Sequence, residues 1–460
     1  MVYGLFVLAG GLAALFFLFN AGQLTQDKDK LIITADATAY SAGVMHARAL
    51  NYTAYANRAL IANEIAVAQM VSVASWTRYT EQHANGALSL NCYSWWNKPA
   101  AEGLVQYAPL CMGLAWSQEV IAPASQWVEK SASFAVTDVE VAKRILQISQ
   151  RATMALMAVA RTQVMQDVAN ANFRGNGSVN VDLVPLEDQF FAFEGGPLLR
   201  ERTGPQRQRL ADVSVASANV DSFIPSRRWT DTAIFPNCIG INGWRFNRVD
   251  RAGGTNLIGL DEWKAIDTAS YWSFRRNKRQ QCVLQGEQVL GNGSQQAHGN
   301  GDADNGNRDL YGQSRQINPR ASAWASSNQW SQYTGIPEFF ELSDAALAYT
   351  PENGNPDRRE LAIRFSMRVR RVPAETPTSQ GRSRIRQAAS GPYDLNRYQG
   401  APSDGVYAAV ATSEVFFDRP VGRADGRREL GSAFNPYWQV RLVHSQTAID
   451  QARARQGRPF

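Results

Sequence analysis

Residues 1–19 read MVYGLFVLAGGLAALFFLF, with no charge and no proline, and the chain runs on without proline as far as Pro99. At ~1.5 Å of rise per residue, about 19 apolar residues just cross a hydrocarbon layer of ~30 Å. The stretch therefore predicts an apolar helix long enough to span a membrane. Everything downstream is read relative to it.

Three readings of this start compete. A cleaved secretory signal wants a basic leader, a shorter apolar core and a small-x-small cleavage site. Nothing before Tyr3 is basic, and NAGQLTQDKDK (20–30) is a poor cleavage context. A signal anchor takes its orientation from flanking Lys or Arg, yet Lys28 and Lys30 alternate with Asp27 and Asp29, which cancel them. A mature chain that has lost a short basic leader accounts for the missing flank, and is preferred.

The helix is expected to continue through residues 20–82, where Ala recurs at intervals of mostly three, four or seven. Between Leu31 and Thr80 the only full charges are Asp36, Arg48, Arg58, Glu64 and Arg78. So sparse a polar face predicts a helix covered on more than one side. Gly4, Gly10, Gly11 and Ala14 in the apolar run, and Ala35, Ala39 and Ala42 beyond it, are candidate contacts for close helix–helix packing. Gly22 and Gly43 are the candidate kinks. A second amphipathic helix is expected to open at the capping box TDVE (137–140) and to run to about residue 172. Its Ile145, Ile148, Met154, Met157, Ala158 and Val164 are spaced to face the first helix, with an irregular piece around Pro123.

After FRGNGS (173–178) helical periodicity fades. Strand-like runs appear at 179–184, 189–193, 360–372, 405–417 and 437–445, with a helical piece around 338–349. In the third run Leu361, Ile363, Phe365, Met367 and Val369 alternate with Ala362, Arg364, Ser366, Arg368 and Arg370. That is a half-buried strand whose Arg side is exposed or paired with acids on a neighbour. The expected fold class is α+β: a long N-terminal hydrophobic helix with a helical-hairpin stalk, then a β-rich globular head with long loops. The expected partition is 1–82 for the transmembrane or filament-core helix, 83–177 for a disulfide loop and second helical region, and 178–460 for the head.

Charge follows this division: residues 1–172 hold 11 acidic and 11 basic side chains, and the rest supplies the whole net charge of +6. Such an excess suits a solvated surface and gives no specific nucleic-acid signature. Cys92, Cys111, Cys238 and Cys282 form no CxxC arrangement, and isolated cysteines beyond a membrane segment fit disulfides. Three pairings exist; Cys92–Cys111 with Cys238–Cys282 keeps each bridge inside one proposed structural unit. Trp95 and Trp96 would then form a local apolar plug within the first loop.

The chemistry in the sequence is mostly negative. Nucleotide-binding, zinc-protease and nucleophile-elbow motifs are missing, and His46, His83, His298 and His444 have no local nucleophilic partner. The sequence therefore predicts a non-enzyme without a cofactor. Calcium is the one cation considered, because Asn300, Asp302, Asp304 and Asp309 place hard oxygen ligands at close spacing. The EF-hand template fails at Asn305 and Tyr311, and a flexible polar loop is the competing reading.

Gln26, Asp27, Lys28, Lys30, Leu31, Ala35, Asp36, Ala37, Ala39, Tyr40, Ser41, Ala42, Gly43, Ala47, Arg48, Leu50 and Asn51 follow the apolar helix in an order that carries a family pattern. Over roughly residues 1–80 the chain resembles the TadG-like family of Tad/Flp pilus-assembly proteins, within the type IV pilin superfamily. The resemblance implies an inner-membrane precursor and leader removal by a prepilin peptidase. It further implies filament assembly, or service to the pilus-assembly machinery. Pilins commonly carry Glu at the fifth mature position, where this chain has Leu5. Larger members often carry a von Willebrand-type head with a DxSxS motif, which Asp221-Ser222-Phe223 does not supply. The primary expectation is a pilin-like homo-oligomer, a helical filament outside the cell whose heads coat a core of N-terminal helices. The alternative is an inner-membrane anchored periplasmic assembly or tip-adhesin protein.

Overall fold

The computed structural model describes residues 2–89, 108–298, 329–349, 361–371, 377–378, 381–384, 407–427 and 429–455. Cys92, Trp95, Trp96, Asn300, Asp302, Asp304 and Asp309 lie outside the described residues, as does the side chain of Cys111. The expected Cys92–Cys111 bridge and calcium loop fall with them.

Two long helices, several shorter ones and several sheets make this an α+β chain. Helix α1 is Val2–Ser89, 88 residues long, and passes through both Gly22 and Gly43 without a break. Helix α2 is Ala108–Asn172 and takes Pro123 into its interior. TDVE therefore sits inside a helix rather than at its start, and the Thr137 hydroxyl donates to the Ser133 carbonyl at 3.3 Å.

The chain packs as two compact units: Met1–Asn57, Ser149–Glu201 and Phe340–Phe460 form the first, Arg58–Ile148 and Arg202–Phe339 the second. Each draws on widely separated stretches of sequence.

In the first unit, strands Asn180–Val181, Ala362–Arg371, Tyr407–Phe417 and Trp438–Val443 lie in that order, and Glu187–Asp188 also pairs with Ala362–Arg371. Pairing is antiparallel, with Arg364 opposite Glu414 and Arg371 opposite Tyr407. The expected alternation holds. Ile363, Phe365, Met367 and Val369 are buried. On the other side Arg364 pairs with Glu414 at 3.1 Å and Arg368 with Asp182 at 2.6 Å. The run 189–193 is a turn instead of a strand, and it buries Phe190 and Phe193 against Leu50 and Met157. Gly43 marks a close approach rather than a kink. A Cβ there would meet Val440 Cγ2 at 2.4 Å, so only glycine lets α1 lie this near the sheet.

The second unit holds long antiparallel strands Arg248–Ile258, Glu262–Arg276 and Cys282–His298. Short Trp229–Thr232 lies at one edge of this sheet, and Gln329–Trp330 runs parallel at the other. Cys238 and Cys282 form a disulfide, which is one of the two pairings preferred from sequence. Residues 291–298, the first part of the Gly/Asn-rich segment read as a loop, belong to the third long strand. A Cβ at Gly293 would lie 2.2 Å from the Ser75 carbonyl oxygen, so this strand rests directly on α1 backbone.

Candidate functional site

The helix that begins in the apolar run changes character along its length. Every residue from Val2 to Leu15 is exposed. Nothing comes within 4 Å of a Cβ built at Gly4, Gly10 or Gly11, and Ala14 is exposed beside them. By Leu31 the same helix has entered a core. Ala35, Ala39 and Ala42 are fully buried against Met165, Ala169 and Phe173 of α2 and its end, and against strand residues such as Phe365 and Ala411. These three alanines contact this chain's own residues, while the three glycines and Ala14 remain bare. Length and composition make α1 a candidate membrane span, and the most apolar window of α1 is wholly unburied.

A polar clamp grips the helix between these two regions. Asp27 is buried, accepting from Arg371 Nη1 at 2.9 Å on one carboxylate oxygen and from the Tyr407 hydroxyl on the other. Arg371 also donates to the Asn176 carbonyl and stacks over Phe173, 4.5 Å from the ring centre. Lys30 lies over the same ring at 4.8 Å. Because Arg371 and Tyr407 face each other across two strands, the sheet presents both donors as one preformed socket. In the sequence Asp27 reads as one of two acids neutralising adjacent lysines and as part of the family pattern, neither of which points to a buried clamp.

Farther along, α1 carries polar groups into both units. In the second, Glu64 pairs with Lys143 of α2 at 2.8 Å and accepts from Tyr333 at 2.7 Å and Trp263 at 2.9 Å. In the first, His46 stacks on Phe190 with centroids 4.4 Å apart, and its Nε2 accepts from Arg161 at 3.0 Å. Arg161 is held in turn by Asp188 at 2.8 Å. Burial first, and the Arg161 charge second, push the His46 imidazole down to about 3.

His46 therefore stays neutral in the fold, whereas an unfolded histidine takes up a proton near pH 6.5. Its contribution is complete above pH 6.5 and shrinks as pH falls toward about 3. His46→Gln is expected to flatten part of the acid limb of a stability–pH profile. Between pH 7 and pH 5 the wild type should lose about 2 kcal/mol more than the variant. An equal loss of unfolding free energy in wild type and variant between the two pH values, measured by urea melts, would refute this assignment.

The outward-facing residues of α2 correct an expectation. Met157 is buried and Met154 packs against the core around Leu50, but Ile145 and Ile148 point away from the protein. Among the described residues, no three His, Cys, Asp or Glu side chains gather as a metal site would require. A cleft of about 420 Å³ is lined by Phe416, Arg419, Arg423, Arg427 and Arg441 among others. Arg419, Arg423 and Arg441 pair with Glu429, Asp425 and Glu414.

Comparison with protein-family models, with curated proteins and with solved structures finds no match to this chain.

Proposed function

We propose that this chain is a non-catalytic structural protein of a pilus-assembly system, held in the inner membrane by residues 2–19 with its globular units outside. One observation carries the reading. The apolar helix is bare over its first turns and covered from Leu31 onward. The low charge density out to residue 80 suggested a filament core. The chain's own sheets and second helix now account for it, so a core of many copies is no longer needed to bury that length. A bare segment of about 19 residues matches one bilayer crossing.

The bare faces at Gly4, Gly10 and Gly11 favour a second reading in which the same segment packs against copies of itself in a filament. Both readings give Gly10→Glu and Ala14→Glu the same first effect. A carboxylate in mid-helix costs roughly 2.5–3.5 kcal/mol of insertion free energy, and a span of minimum length has no slack to shift it out. Each variant is expected to become extractable from membranes at alkaline pH while keeping the wild-type circular dichroism of its globular units. Mass spectrometry of sheared surface appendages then separates the readings. Recovery of the chain only with the membrane supports the anchor, and recovery in the filament fraction supports the subunit. Wild-type membrane retention of both variants would overturn the role given to residues 2–19.

A further inference from the structure

Helix α2 carries large apolar side chains on its outer face at a fixed interval. Val120, Trp127, Phe134, Val141 and Ile148 succeed one another every seven residues. These five and Ile145 are all 52–74% exposed, and all six belong to the second unit. An amphipathic helix that merely covers a core turns such residues inward. A strict seven-residue repeat on the outside is the pattern that lets one helix follow another in a left-handed supercoil.

We infer that this stripe is a self-association seam, against which the α2 helix of a second copy of this chain packs. Three observations select a second copy. The period is that of helix-on-helix packing, so the occupant is a helix with the same repeat, and an identical stripe meets that requirement in a two-fold pair. At roughly 150–250 Å² for each aromatic side chain and about 100 Å² for each aliphatic one, the six at this exposure offer on the order of 600 Å² per copy. Two faces then reach about 1,200 Å², the lower end of the range typical of specific interfaces. Finally, the intervening seam positions Ala124, Ser131, Asp138 and Ile145 are small or polar except for the last, so the helices can approach closely. Asp138, exposed on the same face, is the single charge in the seam and limits how deep and in what register two copies settle. The seam is separate from both proposed roles of residues 2–19, so it can fail without them and they without it.

The test uses the full chain, in native membranes and after detergent extraction. A benzophenone amino acid placed at Phe134 is expected to give a photo-adduct of twice the chain mass, mapped to residues 120–148 of the second copy. Val141→Glu and Ile145→Glu should each raise the dissociation constant in detergent at least tenfold with unchanged circular dichroism, because neither side chain belongs to the core. Asp138→Leu should lower it. An adduct to a different protein, an adduct within the same chain, or the absence of any adduct would each overturn the inference. So would glutamate variants that associate as tightly as the wild type.

Discussion

Lys143→Met is expected to remove about 3–5 kcal/mol from the second unit, the usual cost of stranding buried charge. Lys143 is the cation between two acids, 2.8 Å from Glu64 and 2.6 Å from Glu140, and it donates to the Gly335 carbonyl at 2.8 Å. None of the three side chains is more than 6% exposed. Methionine fills much the same volume, so the loss is electrostatic rather than a cavity. Two carboxylates would then face each other without a counter-ion, and folding would require one of them to hold a proton. Tyr333 offers no relief. Burial, and next the charge of Glu64, push its hydroxyl well above the usual phenol range, so it stays a donor. Adding Glu64→Gln to Lys143→Met should recover part of the loss, since the amide oxygen still accepts from Tyr333 and Trp263 while one carboxylate is gone. Scanning calorimetry, with hydrogen exchange in Arg248–Ile258 and Glu262–Arg276, measures both effects. A double variant that melts below the single would show that Lys143 is not there to balance these acids.

The residues around Glu64 also explain which half of the fold was readable in advance. The strand Ala362–Arg371 announced itself because one face is apolar and its arginines find acids on the other. The strands of the second unit hid because polar side chains are buried in them among the apolar ones. Lys264, Asp267, Thr268 and Ser270 are all buried in one of them. Here α1 meets the sheet with serine and arginine as well as with Val71 and Ala74. Ser72 shares a hydrogen bond with Thr255 at 2.6 Å, Ser75 donates to Asp267 at 2.7 Å, and Arg78 reaches the Ser294 carbonyl at 3.0 Å. Arg227 closes the cluster with two bonds to Asp267 at 2.7 and 2.9 Å. Apolar alternation is a proxy for burial, and it fails wherever burial is satisfied by hydrogen bonds. For the same reason Gly43 and Gly293 read as a kink and a loop, although each marks a place where backbone touches a neighbour. The bare apolar start was legible because exposure there needs no partner to explain it.

Arg371→Met is expected to cost the first unit about 3–5 kcal/mol and to free the helix segment that joins the bare apolar run to the core. Asp27 lies eight residues beyond Phe19, between the bare run and the covered helix that begins at Leu31. Two strands and the turn after α2 converge on it through Tyr407, Arg371 and Asn176. Removing the guanidinium takes the paired cation from a buried carboxylate and from the face of Phe173. Asp27→Asn is the milder change, because the amide oxygen still accepts a hydrogen bond, and the guanidinium that loses its counter-ion keeps the Asn176 carbonyl and the Phe173 ring. If the clamp works through charge balance, the order of stability is wild type, Asp27→Asn, Arg371→Met. Arg371→Met combined with Asp27→Asn should lie above Arg371→Met alone. Limited proteolysis supplies the second readout, since cleavage after Lys28 and Lys30 should accelerate in Arg371→Met well below its melting temperature. Protection of those bonds at the wild-type rate would mean that residues 20–30 hold their place without the socket, and that the packing of Leu31 and Ala35 suffices to fix the start of the covered helix.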